Sequence, residues 1–313
     1  MSTPKVKNVQ PHFLLLLFLL AFSPLLNGCF IKAMAVDSVA DSLAGQGDTF
    51  SSDNDPQLVR EAIPFSLKLM ESILSATPRH FGLLTAACKG FTEYAYAFVQ
   101  SDGDYIADKD YNLSKEDVRR AKNLYIRARD YGLRALETRH DHFKQLIMAN
   151  PKMTCANVRN KEEVEALYWT GVAWMAAISI GKDDSELVAD VPQAEALIYR
   201  AYELDPDYDK GAIHDFLITY EGGKPALMGG SSKKAKEHFD QALKLNKGER
   251  ASTYLNYAEA VSEKEQNKEE FEEMLNKALE VDADKNPSDR LANLISQKRA
   301  KWLLDNEDKF FVK

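Results

Sequence analysis

The stretch Gln193–Pro206, QAEALIYRAYELDP, decides the predicted fold. It places Ala194, Ile198 and Ala201 at positions i, i+4 and i+7, which share one face of an α-helix. Alanines on that face let a neighbouring helix approach closely, and the final proline stops the helix because it has no backbone N–H to donate. The stretch therefore predicts one helix of a closely packed helical pair.

Alanine recurs at the equivalent position of three further segments. The full set is Ala128, Ala201, Ala242 and Ala278, separated by 73, 41 and 36 residues. These intervals correspond to one double and two single copies of a repeat that resembles the tetratricopeptide repeat (TPR), a helix pair of about 34 residues. Since no segment shows the period-2 alternation of a strand, we predict an all-α fold. It is a right-handed α-solenoid of about four degenerate TPR-like helix pairs with capping helices.

Local signals predict several helix boundaries. Asp55-Pro56 is a typical helix start, and Pro64 is predicted to kink the helix that follows. Residues Ser101–Asn112 are predicted to form a loop. Ser114 and Asp117 then resemble a capping box that opens the next helix.

The N-terminus has the pattern of a bacterial lipoprotein signal peptide. Two lysines precede an apolar run, Phe13–Phe22, about half the roughly 20 residues needed to span a bilayer. The segment LLNGC, which ends at Cys29, then resembles a lipobox, in which the cysteine is lipidated and becomes the new N-terminus. We predict a signal peptide over residues 1–28, a lipidated tether over residues 29–52 and the TPR-like helical domain over residues 53–313.

Charge and cysteine content narrow the function classes. Removal of residues 1–28 takes away two lysines and no acidic residue, so the formal charge moves from −8 to −10. Such an acidic chain argues against nucleic acid as a partner. Cys88 lies in an apolar run typical of a buried residue. A disulfide between Cys88 and Cys155 is the alternative outside the cytosol.

The candidate metal-binding and catalytic patterns are incomplete. Asp108 begins a calcium-like loop that lacks the required glycine and the final glutamate. His140 and His142 point to different faces of a helix. Gly222–Gly230 lacks the Gly-Lys-Ser/Thr ending of a phosphate-binding loop. The sequence therefore predicts no catalytic activity, no metal site and no cofactor.

Aromatic residues are the candidates for ligand binding. In the motif Phe91–Val99, FTEYAYAFV, Tyr94 and Phe98 share one helical side, whereas Tyr96 points elsewhere. One interpretation is that the first set forms core and Tyr96 is partly exposed. The other is that such aromatics line a groove or channel enclosed by the solenoid. The predicted ligand-binding residues are Tyr94, Tyr96, Phe98, Tyr168, Trp169 and Trp174.

Three sequence motifs carry a family resemblance. They are Asp53–Pro64 (DNDPQLVREAIP), Phe91–Val99 and the glycine-rich segment before Lys233. With the lipobox and the repeats, they resemble the T-component family of TRAP transporters, lipid-anchored periplasmic TPR proteins. The resemblance implies a non-catalytic partner of the TRAP solute-binding protein that self-associates, with a trimer as the first expectation. It also implies a channel or concave face for a small hydrophobic ligand. The acidic balance of the chain disfavours the attraction of organic anions, so we expect an apolar or amphipathic ligand.

The leading hypothesis is therefore a periplasmic lipoprotein that docks the solute-binding protein and shelters or relays its ligand. The alternative, from another class, is a TPR scaffold lipoprotein that organises other cell-envelope proteins. Genes for a TRAP permease and its binding protein next to this gene would favour the first hypothesis.

Lipidation is testable at Cys29. We expect Cys29→Ala to move the protein from the detergent phase to the aqueous phase in a detergent partition, because acyl chains are its predicted anchor. Cys155→Ala serves as the matched control and partitions like the parent. If Cys29→Ala also partitions like the parent, Cys29 is instead a free or buried cysteine left by ordinary signal cleavage.

Overall fold

The computed structural model describes residues 28–45 and 47–312, in which every regular element is helical. The predicted all-α class is confirmed. No helix in these residues is long and apolar enough to cross a membrane. The predicted signal peptide lies outside the described residues except for its last residue, and so does the lipidation predicted on the Cys29 side chain.

The α-helices of the described residues are numbered in chain order. They are α1 (Gly28–Ala44), α2 (Gly47–Ser51), α3 (Pro56–Ala76), α4 (Phe81–Tyr94), α5 (Ser101–Ile106), α6 (Tyr111–Arg139), α7 (Phe143–Ala149), α8 (Pro151–Ala156), α9 (Val164–Ile180), α10 (Ser185–Ala189), α11 (Val191–Leu204), α12 (Tyr208–Gly223), α13 (Ser232–Asn246), α14 (Ala251–Tyr257), α15 (Lys268–Glu280) and α16 (Arg290–Asp305). Two π-helical segments, Ala95–Gln100 and Ala258–Ser262, continue α4 and α14. Among the described residues there are also four short 3-10 turns, at Lys161–Glu163, Ala226–Met228, Pro287–Asp289 and Glu307–Lys309.

The repeat alanines are completely buried, on α6, α11, α13 and α15. Long helices pack on their neighbours in chain order: α6 lies against α4 and α9, α9 against α11, and α12 against α13. Small residues are required at these contacts. A Cβ atom on Gly171 of α9 would lie 2.5 Å from Cγ1 of Ile198 on α11, which is closer than atoms can pack. The alanine and glycine positions therefore set the spacing of the helix pairs.

The start of α3 follows the predicted capping chemistry. The Asp55 carboxylate accepts hydrogen bonds from the backbone N–H groups of Gln57 and Leu58, at 3.0 and 3.1 Å. Pro56 occupies the first turn, where its missing N–H costs no hydrogen bond. The helix then continues through Pro64 to Ala76.

Part of the predicted tether belongs to the packed domain. Ala40 and Leu43 on α1 are buried in the same core as α4. The Asp37 carboxylate accepts a hydrogen bond from the Thr77 hydroxyl at 2.9 Å, and Asp41 pairs with His80 at 3.1 Å. Ala40 and Leu43 therefore pack against the helical domain, a contact that the sequence did not indicate.

The predicted loop Ser101–Asn112 is wrong, because most of this segment is helical. It comprises α5, a short turn and the start of α6, which begins at Tyr111 rather than at Ser114. The Asp110 carboxylate caps α6 by accepting a hydrogen bond from the N–H of Leu113 at 3.0 Å.

Distant basic residues explain why this acidic segment folds as a helix. Asp102 pairs with Arg60 on α3, and Asp108 pairs with Lys309 near the C-terminus. Asp104 pairs with Arg299 on α16 at 2.9 Å. These contacts offset charge repulsion among the aspartates, and sequence periodicity carries no information about them.

Helix α16 brings the C-terminal part of the chain back to the N-terminal part. Its first half packs on the core of the N-terminal helices through Leu291 and Ile295. Its second half packs on a smaller C-terminal core through Ala300 and Leu303. The guanidinium of Arg290 also donates a hydrogen bond to the backbone carbonyl of residue 52, at 2.8 Å. Helix α16 therefore brings the C-terminal and N-terminal parts of the helical domain into contact.

Phe91 tests the packing between α4 and α6. Its side chain is 3% exposed and stacks on Tyr131, with 5.8 Å between ring centres. We expect Phe91→Ala to lower the free energy of unfolding by about 3–5 kcal/mol in chemical denaturation, because it leaves a cavity. Phe65→Ala is the matched control, since that ring is 74% exposed. Equal unfolding midpoints for Phe91→Ala and the parent would contradict this assignment.

Candidate ligand-binding cavity

A cavity of about 410 Å³ lies where the closed chain brings its two ends together. It lies between the N-terminal helices α1 to α4, the first π-helical segment and α16. Its wall is mostly apolar and includes Leu43, Ile63, Leu67, Met70, Phe81 and Ile295. We call this space the central cavity.

One face of α4 runs along the central cavity. Phe81, Thr85, Lys89 and Glu93 follow one another at intervals of four residues, so they lie on one side of the helix. Gly90 lies on the same side and faces α3, where an added Cβ atom would come 2.9 Å from Cδ2 of Leu67. The sequence of α4 therefore combines an apolar start, a small residue at the contact with α3 and a charged end.

The charged end of the central cavity includes residues of two helices. Lys89 and Glu93 come from α4, and Glu165 comes from the first turn of α9. The ammonium of Lys89 lies 5.7 Å from the centre of the Trp169 ring, at cation–π distance. Burial raises the pKa of Glu93, attraction to Lys89 lowers it, and repulsion from Asp209 and Glu165 raises it further. Glu93 therefore lies where the protein disfavours its charged form, although part of its surface is exposed.

Tyr96 lines the central cavity. The residue is 41% exposed, yet the surrounding protein raises the pKa of its hydroxyl to about 12. Both observations agree with a position on the wall of a partly open cavity, where the ring is accessible and apolar neighbours surround the hydroxyl. The π-helical segment that carries Tyr96 is a kind of element found frequently at functional sites.

The other predicted ligand-binding residues lie in different surroundings. Phe98 is 7% exposed and also lines the central cavity, whereas Tyr94, Tyr168 and Trp174 are buried and do not line it. Tyr168 donates to the Ala212 carbonyl at 3.1 Å and Trp174 to Asp190 at 3.2 Å, so both satisfy their polar atoms within the fold. Trp169 contacts the cavity through Lys89. The structure thus brings Tyr96, Phe98 and Trp169 near one space.

Sequence reasoning missed Lys89, Glu93 and Glu165. The sequence of α4 contains a pattern that could have indicated them, because polar residues recur every four positions within an otherwise apolar helix. No sequence pattern indicates that α16 forms part of the cavity wall, because this depends on the contact between distant parts of the chain.

Two carboxylate networks support the wall of the central cavity. Ser252, which lines the cavity, donates to Asp215 at 3.2 Å, and Thr253 donates to the same carboxylate at 2.6 Å. Burial raises the pKa of Asp215 to about 6. Arg299 bridges Glu259 at 2.7 Å and Asp104 at 2.9 Å. Burial disfavours its charge, but attraction to these acids raises the pKa of Arg299 overall.

Residues of the incomplete metal-binding and catalytic patterns have structural roles. His140 pairs with Glu163 at 2.7 Å, and His142 begins α7 with a left-handed backbone. Lys264 donates to the carbonyls of Gly222 and Lys224, which anchors the glycine-rich segment.

The cysteines at 88 and 155 are buried and free. Within residues 28–45 and 47–312, no three His, Cys, Asp or Glu side chains are grouped to hold a metal ion.

The fold and cavity define an all-helical protein with a partly open apolar cavity between its N-terminal helices and α16. A comparison of the sequence with known families matches the TRAP transporter T-component over residues 52–311. The chain belongs to this family, whose members are components of a transport system. It is also 29% identical over 312 residues to an uncharacterised protein of Treponema pallidum (strain Nichols), covering 94% of this chain and 97% of that protein.

Proposed function

We propose that the protein is a non-catalytic, lipid-anchored periplasmic component of a TRAP transporter. It docks the solute-binding component and shelters or relays a small, apolar or amphipathic ligand in the central cavity. Membership of the T-component family supports the role in transport. The observation that carries the ligand role is the partly open, mostly apolar cavity between the N-terminal helices and α16.

The size and chemistry of the central cavity suit a small amphipathic molecule. Its volume of about 410 Å³ lies within the range of small-molecule sites in proteins. Apolar side chains from α1, α3, α4 and α16 form most of the wall. Burying a ligand there contributes about 25 cal/mol for each Å² of apolar surface removed from water. The few polar groups on the wall would orient such a ligand.

Two features favour a sheltering role over catalysis. No histidine or cysteine is among the described residues that line the central cavity. The Ser252 hydroxyl is already hydrogen-bonded to the Asp215 carboxylate, which is itself engaged by Thr253. These groups therefore act as a stable wall.

A neutral fluorescent probe tests the ligand role. We expect N-phenyl-1-naphthylamine to bind the full chain with increased fluorescence, because the cavity wall is apolar. Ala292 lines the cavity, so Ala292→Trp should fill it and weaken binding at least about tenfold, which corresponds to about 1.4 kcal/mol. Ala189→Trp is the control, since Ala189 is exposed and lies outside the cavity. Equal probe binding by both variants would contradict the proposal.

Capture from membranes tests the docking role. We expect the tagged full chain, extracted in mild detergent from its own cells, to bring down the solute-binding component of a TRAP transporter. Chemical cross-linking in the same membranes measures the copy number, and three copies are expected for the proposed trimer. Recovery of outer-membrane assembly factors without a solute-binding component would instead favour the scaffold alternative.

A further inference from the structure

The charged end of the central cavity carries an excess of negative charge. Among the described residues that line the cavity, one ammonium, that of Lys89, faces two carboxylates, those of Glu93 and Glu165. Asp209 lies close enough to add to the repulsion on Glu93. A ligand head group that enters this end therefore meets a net negative field.

The two carboxylates border a mostly apolar wall, which keeps water from part of their surroundings. Coulomb interactions are stronger in such surroundings than in bulk water. The same desolvation raises the pKa of the Glu93 carboxyl group, so a cation beside it also favours its ionised form. The ammonium of Lys89 also lies 5.7 Å from the centre of the Trp169 ring, and it is one positive charge against two carboxylates. Lys89 thus offsets only part of the negative charge.

The remainder of the cavity matches an alkyl chain. Along α4 the wall runs from Phe81 to Glu93, twelve residues or roughly 18 Å of helix. Leu67 and Met70 on α3 cover the apolar part.

We propose that the central cavity selects amphipathic molecules with a positively charged head group over anionic molecules of the same length. This inference rests on the proposed ligand-sheltering function and specifies the class of ligand. The ammonium group of such a molecule lies at Glu93 and Glu165, and its alkyl chain lies along Leu67, Met70 and Phe81. An anionic head group adds a further negative charge beside two carboxylates, and its binding is correspondingly weaker.

Competition between two matched ligands tests the charge preference. Decylamine and decanoate have the same chain length, and at pH 8 the first is protonated and the second is ionised. Each displaces N-phenyl-1-naphthylamine from the full chain, below its micelle concentration. We expect the displacement constant of decylamine to be at least about tenfold lower than that of decanoate.

Charge-removing variants connect the preference to the named residues. Glu93→Gln should reduce the ratio of the two displacement constants about tenfold, since it removes one carboxylate from the head-group end. Glu165→Gln removes the second carboxylate, which lies on α9, and should also reduce the ratio of the two displacement constants. Glu186→Gln is the control, because Glu186 is exposed and lies outside the cavity. Circular dichroism verifies that each variant remains folded.

The outcomes separate this inference from the proposed function. If the probe binds but decanoate competes as well as decylamine, the charge preference is wrong and the sheltering role stands. A ratio that is unchanged in both glutamate variants also overturns the inference. If the probe does not bind the parent protein, both the sheltering role and the charge preference fail.

Discussion

Closure of the chain by α16 is the constraint on which the rest of the structure depends. A solenoid of helix pairs would be open at both ends, yet here Leu291 and Ile295 pack into the core formed by the N-terminal helices. Arg299 adds ion pairs to Glu259 and Asp104, which lie on separate segments. The central cavity lies at this junction, so its volume and lining are consequences of closure.

Buried charge specifies how the chain closes. A partly buried guanidinium needs several acidic partners, since removing one leaves a charge without compensation. Of the two carboxylates that meet Arg299, Glu259 lies within the second π-helical segment and Asp104 lies in α5, the helix that follows the first. The first π-helical segment also carries Tyr96 to the cavity wall. The same irregular turns therefore serve both the closing contact and the site.

Regular packing was predictable from the sequence, and long-range contacts were not. The alanines at 128, 201, 242 and 278 were identified by spacing, because small residues are needed wherever helices pass closely. Tyr96 differed from its neighbours because helical periodicity separates it from the core face. The helix over residues 101–106 and the role of α16 depend on distant partners, such as Arg299 for Asp104, 195 residues away, and Arg290 for the carbonyl of residue 52, 238 residues away. No local pattern encodes such distances.

The most direct measurement is a crystal structure of the full chain soaked with a brominated apolar probe. Anomalous scattering places the bromine atom independently of any assumption about the ligand. We predict one ordered bromine atom inside the central cavity, between α3, α4 and α16, with α16 in contact with the N-terminal helices. Bromine atoms bound only at the outer surface, or an α16 detached from α3 and α4, would contradict the account.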